Sequence, residues 1–197
     1  LSQSEKDQLV SHIYDDANWL LHMVENLLAV TRIHPESAAS INKSMEPVEE
    51  VVAEAVSRFK ARYPESPVQV CTPEEFYMIP MDPTLIEQVI MNLLENAAIH
   101  AHSQEAIDLT VTAKDGQWIR FQIKDYGQGI SPERLETIFE GSPYGAGESA
   151  DSKRGMGIGL TICKTIITVH GGTITAHNHA HGAVFAFLLP IPTQPCA

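Results

Sequence analysis

From residue 4 to about residue 32 one stripe recurs at Ile13, Ala17, Leu20, Val24, Leu27 and Thr31, spaced alternately four and three apart. Leu21 and Leu28 widen it. That 3.5-residue period predicts a long helix whose seam wants a helical partner, as in a coiled coil or four-helix bundle. Residues 34–40, with Pro35, interrupt it and read as a linker. Met45-Glu46-Pro47 is expected to open the next helix, with Val48, Val52, Ala55 and Phe59 as its apolar stripe. Residues 68–70 predict a short strand and residues 76–79 another. Asp82-Pro83 then caps a strong helix running to about Ala101. The period next switches to two. Residues 107–112 and 118–123 alternate across Lys114-Asp115-Gly116, a hairpin signal. Residues 132–139 predict a short helix, and the Gly- and Ser-rich residues 141–155 a loop. Residues 158–169 predict a helix stopped by Gly171-Gly172, and residues 173–176 and 183–189 a closing hairpin. The mixture implies a sheet covered on one face by helices.

Composition narrows what such a fold can serve. The 197 residues are 44% hydrophobic, enough for a sizeable core. Thirteen Lys and Arg against 25 Asp and Glu leave a net charge of −12. That balance argues against a nucleic-acid surface or docking on anionic lipid, which need clustered cations. It permits a phosphate ligand held by backbone N–H groups and a metal. No apolar run approaches the ~18 residues needed to cross a bilayer, and residues 1–6 carry no signal-peptide pattern. Without an initiator Met, the chain is expected to be a piece of a longer protein. Cys71, Cys163 and Cys196 are far apart with no Cys-x-x-Cys, as in a reduced cytoplasmic chain without structural zinc.

Three strings could carry chemistry. Asn92 and Asn96 lie four apart on one face of the helix after Asp82, apolar at Leu85, Ile86, Val89, Ile90, Leu93, Leu94 and Ala97. Asn is a poor helix former. Its amide oxygen can ligate Mg²⁺ beside phosphate oxygens, although such a pair can also simply face water or satisfy backbone. Asp125-Tyr126-Gly127-Gln128-Gly129 follows a strand. Its carboxylate can accept from an exocyclic amine and its glycines allow close approach of a flat ligand, or the string is a tight Asp-Gly turn. Gly155-Met156-Gly157-Ile158-Gly159-Leu160 opens a helix, a ready anion site with Lys153 and Arg154 just before it, or else a hinge. His177, His179 and His181 alternate, but the segment from Asn178 to Gly182 reads as a hairpin tip rather than a metal site. Cys163, on an apolar helix face, reads as core.

Each string is ambiguous alone; their order resembles a sensor histidine kinase. Asn92-Leu93-Leu94-Glu95-Asn96-Ala97 is similar to the N box, Asp125-x-Gly127-x-Gly129 to the G1 box, Phe139 to the F box and Gly155-x-Gly157-x-Gly159-Leu160 to the G2 box. His170-Gly171-Gly172 and a last strand ending Leu189-Pro190 follow. The N-box string and residues 170–176 look most like the KdpD-type potassium-responsive kinases. The resemblance implies an α+β fold, a two-layer α/β sandwich of the gyrase, chaperone and histidine-kinase ATPase type, its mixed, mainly antiparallel sheet backed by helices. Residues 1–34 would be the second helix of a dimerisation and phosphotransfer hairpin, residues 35–44 a linker and residues 45–197 the ATP-binding catalytic domain.

On these positions the resemblance implies that Asn96, with Asn92 alongside, ligates Mg²⁺ and that Asp125 reads the adenine amine. Gly127 and Gly129 would shape the adenine pocket. Gly155, Gly157, Gly159 and Leu160 would complete the ATP site, with lid contacts from Lys153 and Arg154. The γ-phosphoryl of ATP would pass to a histidine and then to an aspartate of a response-regulator receiver domain, in a cytoplasmic region of a membrane-anchored homodimer. Neither nucleic acid nor direct membrane contact is implied. His12 and His22 lack the acceptor context, so this chain alone is expected to bind MgATP without phosphorylating itself. Glu95, one residue from Asn96, points elsewhere and is not taken as a base. Asn92 stands where hydrolytic relatives carry a catalytic Glu, which disfavours an ATP hydrolase. Ile99 replaces a frequent Lys, and the second F-box aromatic and the Arg that often follows are missing. A degenerate, non-catalytic nucleotide-sensing or dimer-signalling module is the alternative.

Overall fold

The structure is a computed structural model that describes residues 41–101, 103, 105–140 and 158–192, together with residues 2, 6, 8–10, 12, 13, 17, 20, 24, 26 and 28. The described residues between 6 and 28 are all helical. After them come β1 (Ser44–Pro47), α1 (Val48–Arg62), β2 (Val68–Cys71), β3 (Met78–Met81) and α2 (Pro83–His100). Then follow β4 (Ile107–Lys114), β5 (Trp118–Lys124), α3 (Pro132–Thr137), α4 (Ile158–Val169), β6 (Thr173–His179) and β7 (Gly182–Pro190).

Five strands form one sheet in the order β2-β4-β5-β7-β6. Only β2 and β4 run parallel; the other neighbours are antiparallel. Alternation aims one side of each central strand at the helices: Ile107, Leu109 and Val111; Ile119, Phe121 and Ile123; Phe185, Phe187 and Leu189 are all buried. Phe121 and Phe187, opposite each other across β5 and β7, stack with centroids 4.5 Å apart. The helices return Val52, Ala55 and Phe59 from α1, Leu85 to Ala97 from α2, and Cys163, Ile166 and Ile167 from α4. This is the expected α+β sandwich with a mainly antiparallel sheet backed by helices.

Local signals placed most elements. Asp115 and Gly116 both have positive φ, 54° and 65°, as the central residues of the tight turn closed by the Gln117 N–H on the Lys114 carbonyl require. The Asp82 side chain accepts from the Leu85 N–H at 3.2 Å and caps α2. Two expectations shift. Met45-Glu46-Pro47 does not open a helix: it is β1, paired antiparallel with β3, and Pro47 is the N-cap of α1. The second short strand is Met78–Met81 rather than residues 76–79, with Pro80 opposite Met45. A two-stranded ribbon leaves an outer edge on each strand, where a missing N–H is harmless. The linker at residues 35–40 lies outside the described residues.

His170 fastens α4 to α2. It is 2% exposed; its Nδ1 donates to the Ile166 carbonyl at 2.7 Å and its Nε2 accepts from the Asp82 N–H at 3.0 Å. Only the neutral ring can do both. Burial holds the imidazole below its ordinary 6.5; the Ile166 bond opposes this, Lys43 reinforces it and Asp82 opposes it. The folded state therefore disfavours the proton more than the unfolded chain does. The contribution is complete above the unfolded value and is lost as pH falls below it. Melting midpoints should drop between pH 7.5 and pH 5.5, and His170→Gln should flatten that slope. An equal slope in the variant would assign the acid sensitivity elsewhere.

Candidate functional site

α2 carries both asparagines of the first motif. Asn92 is 2% exposed, and every polar atom of its amide is engaged. Oδ1 accepts from Gln88 Nε2 at 3.1 Å. Nδ2 donates to Asn26 Oδ1 at 3.1 Å and to the Gly159 carbonyl at 3.4 Å, with Cys163 Sγ at 3.7 Å. The Gly159 carbonyl can only accept, so it fixes which end of the amide is nitrogen. Asn26, in the N-terminal helix, is itself buried and also accepts from Gln88 at 3.2 Å. Asn92 thus ties three segments together. Asn96, a turn further on, is half-buried, and among the described residues nothing holds its amide. A hard cation needs an uncommitted oxygen, so Asn96 fits Mg²⁺ in this arrangement better than Asn92 does.

Glu95 does point elsewhere. Its carboxylate, 4% exposed, meets Arg62 Nη1 of α1 at 2.9 Å, away from the asparagine face. Cys163 is core as expected, and burial pushes its thiol up to about 12.

Asp125 follows β5 and is buried. Its backbone N–H donates to the Ala183 carbonyl at 3.0 Å. Its Oδ1 accepts from the Gly127 N–H at 3.0 Å and the Ala183 N–H at 3.1 Å. Two backbone donors on one oxygen hold the side chain in a single orientation, and both fall on Oδ1 rather than Oδ2. Gly127 has a packing reason to be glycine: a Cβ there would lie 2.4 Å from Ala101 Cα, at the end of α2. The turn after Asp125 therefore packs directly on the helix that carries Asn92 and Asn96.

Gly159 opens α4 with Leu160 behind it in the core. Phe139 packs edge-on to Phe185 at 6.4 Å. Gly155, Gly157, Lys153 and Arg154 lie outside the described residues. A concavity of about 410 Å³ opens beside Asp125, between the Tyr126–Gly129 turn and Asn178, His179, His181 and Gly182. Neither Asn92 nor Asn96 lines it, so it is not the space that a ligand spanning Asn96 and Asp125 would fill. The hairpin reading of the histidines holds: β6 runs to His179 and β7 begins at Gly182. Among the described residues no three His, Cys, Asp or Glu side chains could share a metal, and no helix is long and apolar enough to cross a membrane.

Four polar residues were given no part in the site from the sequence: Asn26 and Gln88, and Asn178 and His179, which were read only as a hairpin tip. Gln88 was detectable, because it stands four before Asn92 on the same helix face. The other three act across long sequence separations and leave no local signal.

Comparison with known proteins gives this geometry its context. Residues 81–193 match the family of histidine kinase-, DNA gyrase B- and HSP90-like ATPases. The chain is 41% identical over 191 residues to the sensor protein KdpD of Clostridium acetobutylicum, covering 96% of this chain and 21% of that protein. It thus spans about a fifth of that relative's length. The catalytic domain of histidine kinase ThkA superposes with a TM-score of 0.64 at 28% identity, over 77% of this chain and 97% of that one. A structure of ThkA with the response regulator protein TrrA superposes at 0.72 and 22% identity, over 98% of this chain and 53% of that one, a likeness of fold. With the matched region taking in α2, the Asp125 turn and α4, the chain belongs to the family of histidine kinase-, DNA gyrase B- and HSP90-like ATPases, and its likeness within that family is to KdpD-type sensor histidine kinases.

Proposed function

We propose that this chain is the ATP-binding catalytic region of a sensor histidine kinase working in potassium or osmotic signalling. The observation that carries the reading is Asp125, a buried carboxylate with Oδ1 pinned by two backbone N–H groups. In this reading Oδ2 of Asp125 accepts from the adenine amine and Asn96 offers its amide oxygen to Mg²⁺. Asn92 orients α2 against Gly159 and the N-terminal helix. Gly155, Gly157, Lys153 and Arg154 face the phosphates. Bound MgATP supplies the γ-phosphoryl group and much of the charge neutralisation that phosphoryl transfer needs. The chain's own part is to bind, orient and exclude water; no general base is required of it. The acceptors are a histidine outside this chain and then a response-regulator aspartate. Residues 1–34 serve as a bundle helix of a membrane-anchored homodimer.

Calorimetric titration with a non-hydrolysable ATP analogue tests the reading. Binding should strengthen with Mg²⁺ and exceed that of the GTP analogue, which places a carbonyl where adenine has its amine. Asp125→Asn should weaken ATP binding by about 1.5–3 kcal/mol, the worth of a hydrogen bond to a charged group. Equal affinity for the two analogues would overturn the adenine role of Asp125, and absence of any binding would favour the degenerate module.

A further inference from the structure

The histidine-containing hairpin tip has no part in the function proposed above, yet its side chains reach directly into the turn that carries Asp125. The Asn178 amide makes two hydrogen bonds to one residue's backbone. Its Oδ1 accepts from the Ile130 N–H at 2.8 Å and its Nδ2 donates to the Ile130 carbonyl at 2.6 Å. That pairing does for the turn what a neighbouring strand would do, and it fixes the amide's orientation, since a flipped amide would set like against like. His179 Nε2 donates to the Asp125 carbonyl at 2.7 Å, and its ring stands edge-on to Tyr126 at 5.7 Å. Tyr126 is anchored in turn, its hydroxyl donating to Asp108 at 2.6 Å. The turn between Asp125 and Ile130 is therefore gripped at both ends by consecutive residues of β6. Ala183 of the same hairpin holds the Asp125 side chain between them.

We propose that Asn178 and His179 are positioning residues for base recognition: they set the turn so that the Asp125 carboxylate meets an adenine amine and discriminates against a guanine carbonyl. The inference rests on the reading of Asp125 as the adenine-binding residue. Neither side chain touches the nucleotide; each acts through the Asp125 and Ile130 backbone. Both are replaceable by chemistry rather than by shape. Gln at 179 retains an amide donor at similar reach. Asp at 178 keeps the acceptor but loses the donor and sets a carboxylate against the Ile130 carbonyl.

The test measures dissociation constants for ATP and GTP analogues, with melting midpoints, on the 197-residue chain and its Asp125→Asn, Asn178→Ala, Asn178→Asp, His179→Ala and His179→Gln variants. Asn178→Ala and His179→Ala should each weaken ATP binding by about tenfold, with GTP binding changed much less. The preference should shrink toward that of Asp125→Asn. His179→Gln should restore it and Asn178→Asp should not. If Asp125→Asn abolishes the preference while both alanine variants keep it, the inference fails and the reading of Asp125 stands. If the alanine variants weaken both nucleotides by the same factor, the two residues are merely structural and the inference again fails. If Asp125→Asn itself keeps the parent's preference, the reading and the inference fall together.

Discussion

Glu95→Ala is expected to cost about 3–5 kcal/mol of folding stability. Glu95 lies between the two asparagines in sequence but faces α1. Its carboxylate and the Arg62 guanidinium meet at 2.9 Å with 4% and 15% of their side chains exposed. At a surface such a pair would be worth little. Here removal of one partner takes from the other a close ion pair that is largely shielded from water, which costs far more than the same loss at a surface. Arg62→Ala should be costly for the same reason. Replacing both, as Arg62→Met with Glu95→Leu, should recover much of the loss, because the desolvation cost disappears along with the attraction. Urea titration of the two single variants and the double variant reads this directly. The measurement also separates structure from chemistry. At denaturant-free, low-temperature conditions where Glu95→Gln remains folded, its affinity for an ATP analogue should match the parent's, because Glu95 belongs to the α1–α2 interface. A folded Glu95→Gln that binds ATP poorly would place Glu95 in the nucleotide site instead.

That interface also shows where the sequence was legible. The apolar stripe of α2 is a local pattern, and Leu85, Ile86, Val89, Ile90, Leu93, Leu94 and Ala97 are all buried. The hairpin at Asp115-Gly116 was equally plain, because the turn chemistry sits inside the turn. The order of motifs along the chain identified the family before any packing was known. β1 was not legible: four residues with no period of their own become a strand only by pairing with β3 more than thirty residues later. Pro47 reinforced the wrong reading, since a proline beside a helical stripe marks either the first turn or the cap. The functional strings were found as residue types and not as geometry. Nothing in Asn92-x-x-x-Asn96 says that the first amide is enclosed by Gln88, Asn26 and Gly159 while the second is not. Similarly, the alternating histidines signalled a hairpin but not that His179 reaches back to Asp125. Contacts of this kind span 54 to 67 residues, so no periodicity records them.

Gly182→Ala should lower stability by about 3 kcal/mol or more and impair ATP binding with it. Gly182 has φ +147°, where an L side chain is strained, and a Cβ there would lie 2.2 Å from the Asp125 carbonyl oxygen and 2.7 Å from Asp125 Oδ1. No rotamer relieves an overlap with a Cβ, so either β7 or Asp125 must move. Because Ala183 holds Asp125 through backbone bonds in both directions, a shift of β7 displaces the carboxylate as well. Gly116 provides the control. It also has positive φ, +65°, but a Cβ there meets nothing within 4 Å. Gly116→Ala therefore carries backbone strain alone, about 1 kcal/mol, at the far end of β4 and β5 from Asp125. Thermal or urea denaturation of both variants, paired with ATP-analogue titration, separates the two contributions. Gly116→Ala should melt slightly earlier and bind normally, whereas Gly182→Ala should lose both stability and affinity. Equal stability losses in the two variants, with ATP affinity intact in each, would mean that the hairpin can yield without disturbing Asp125.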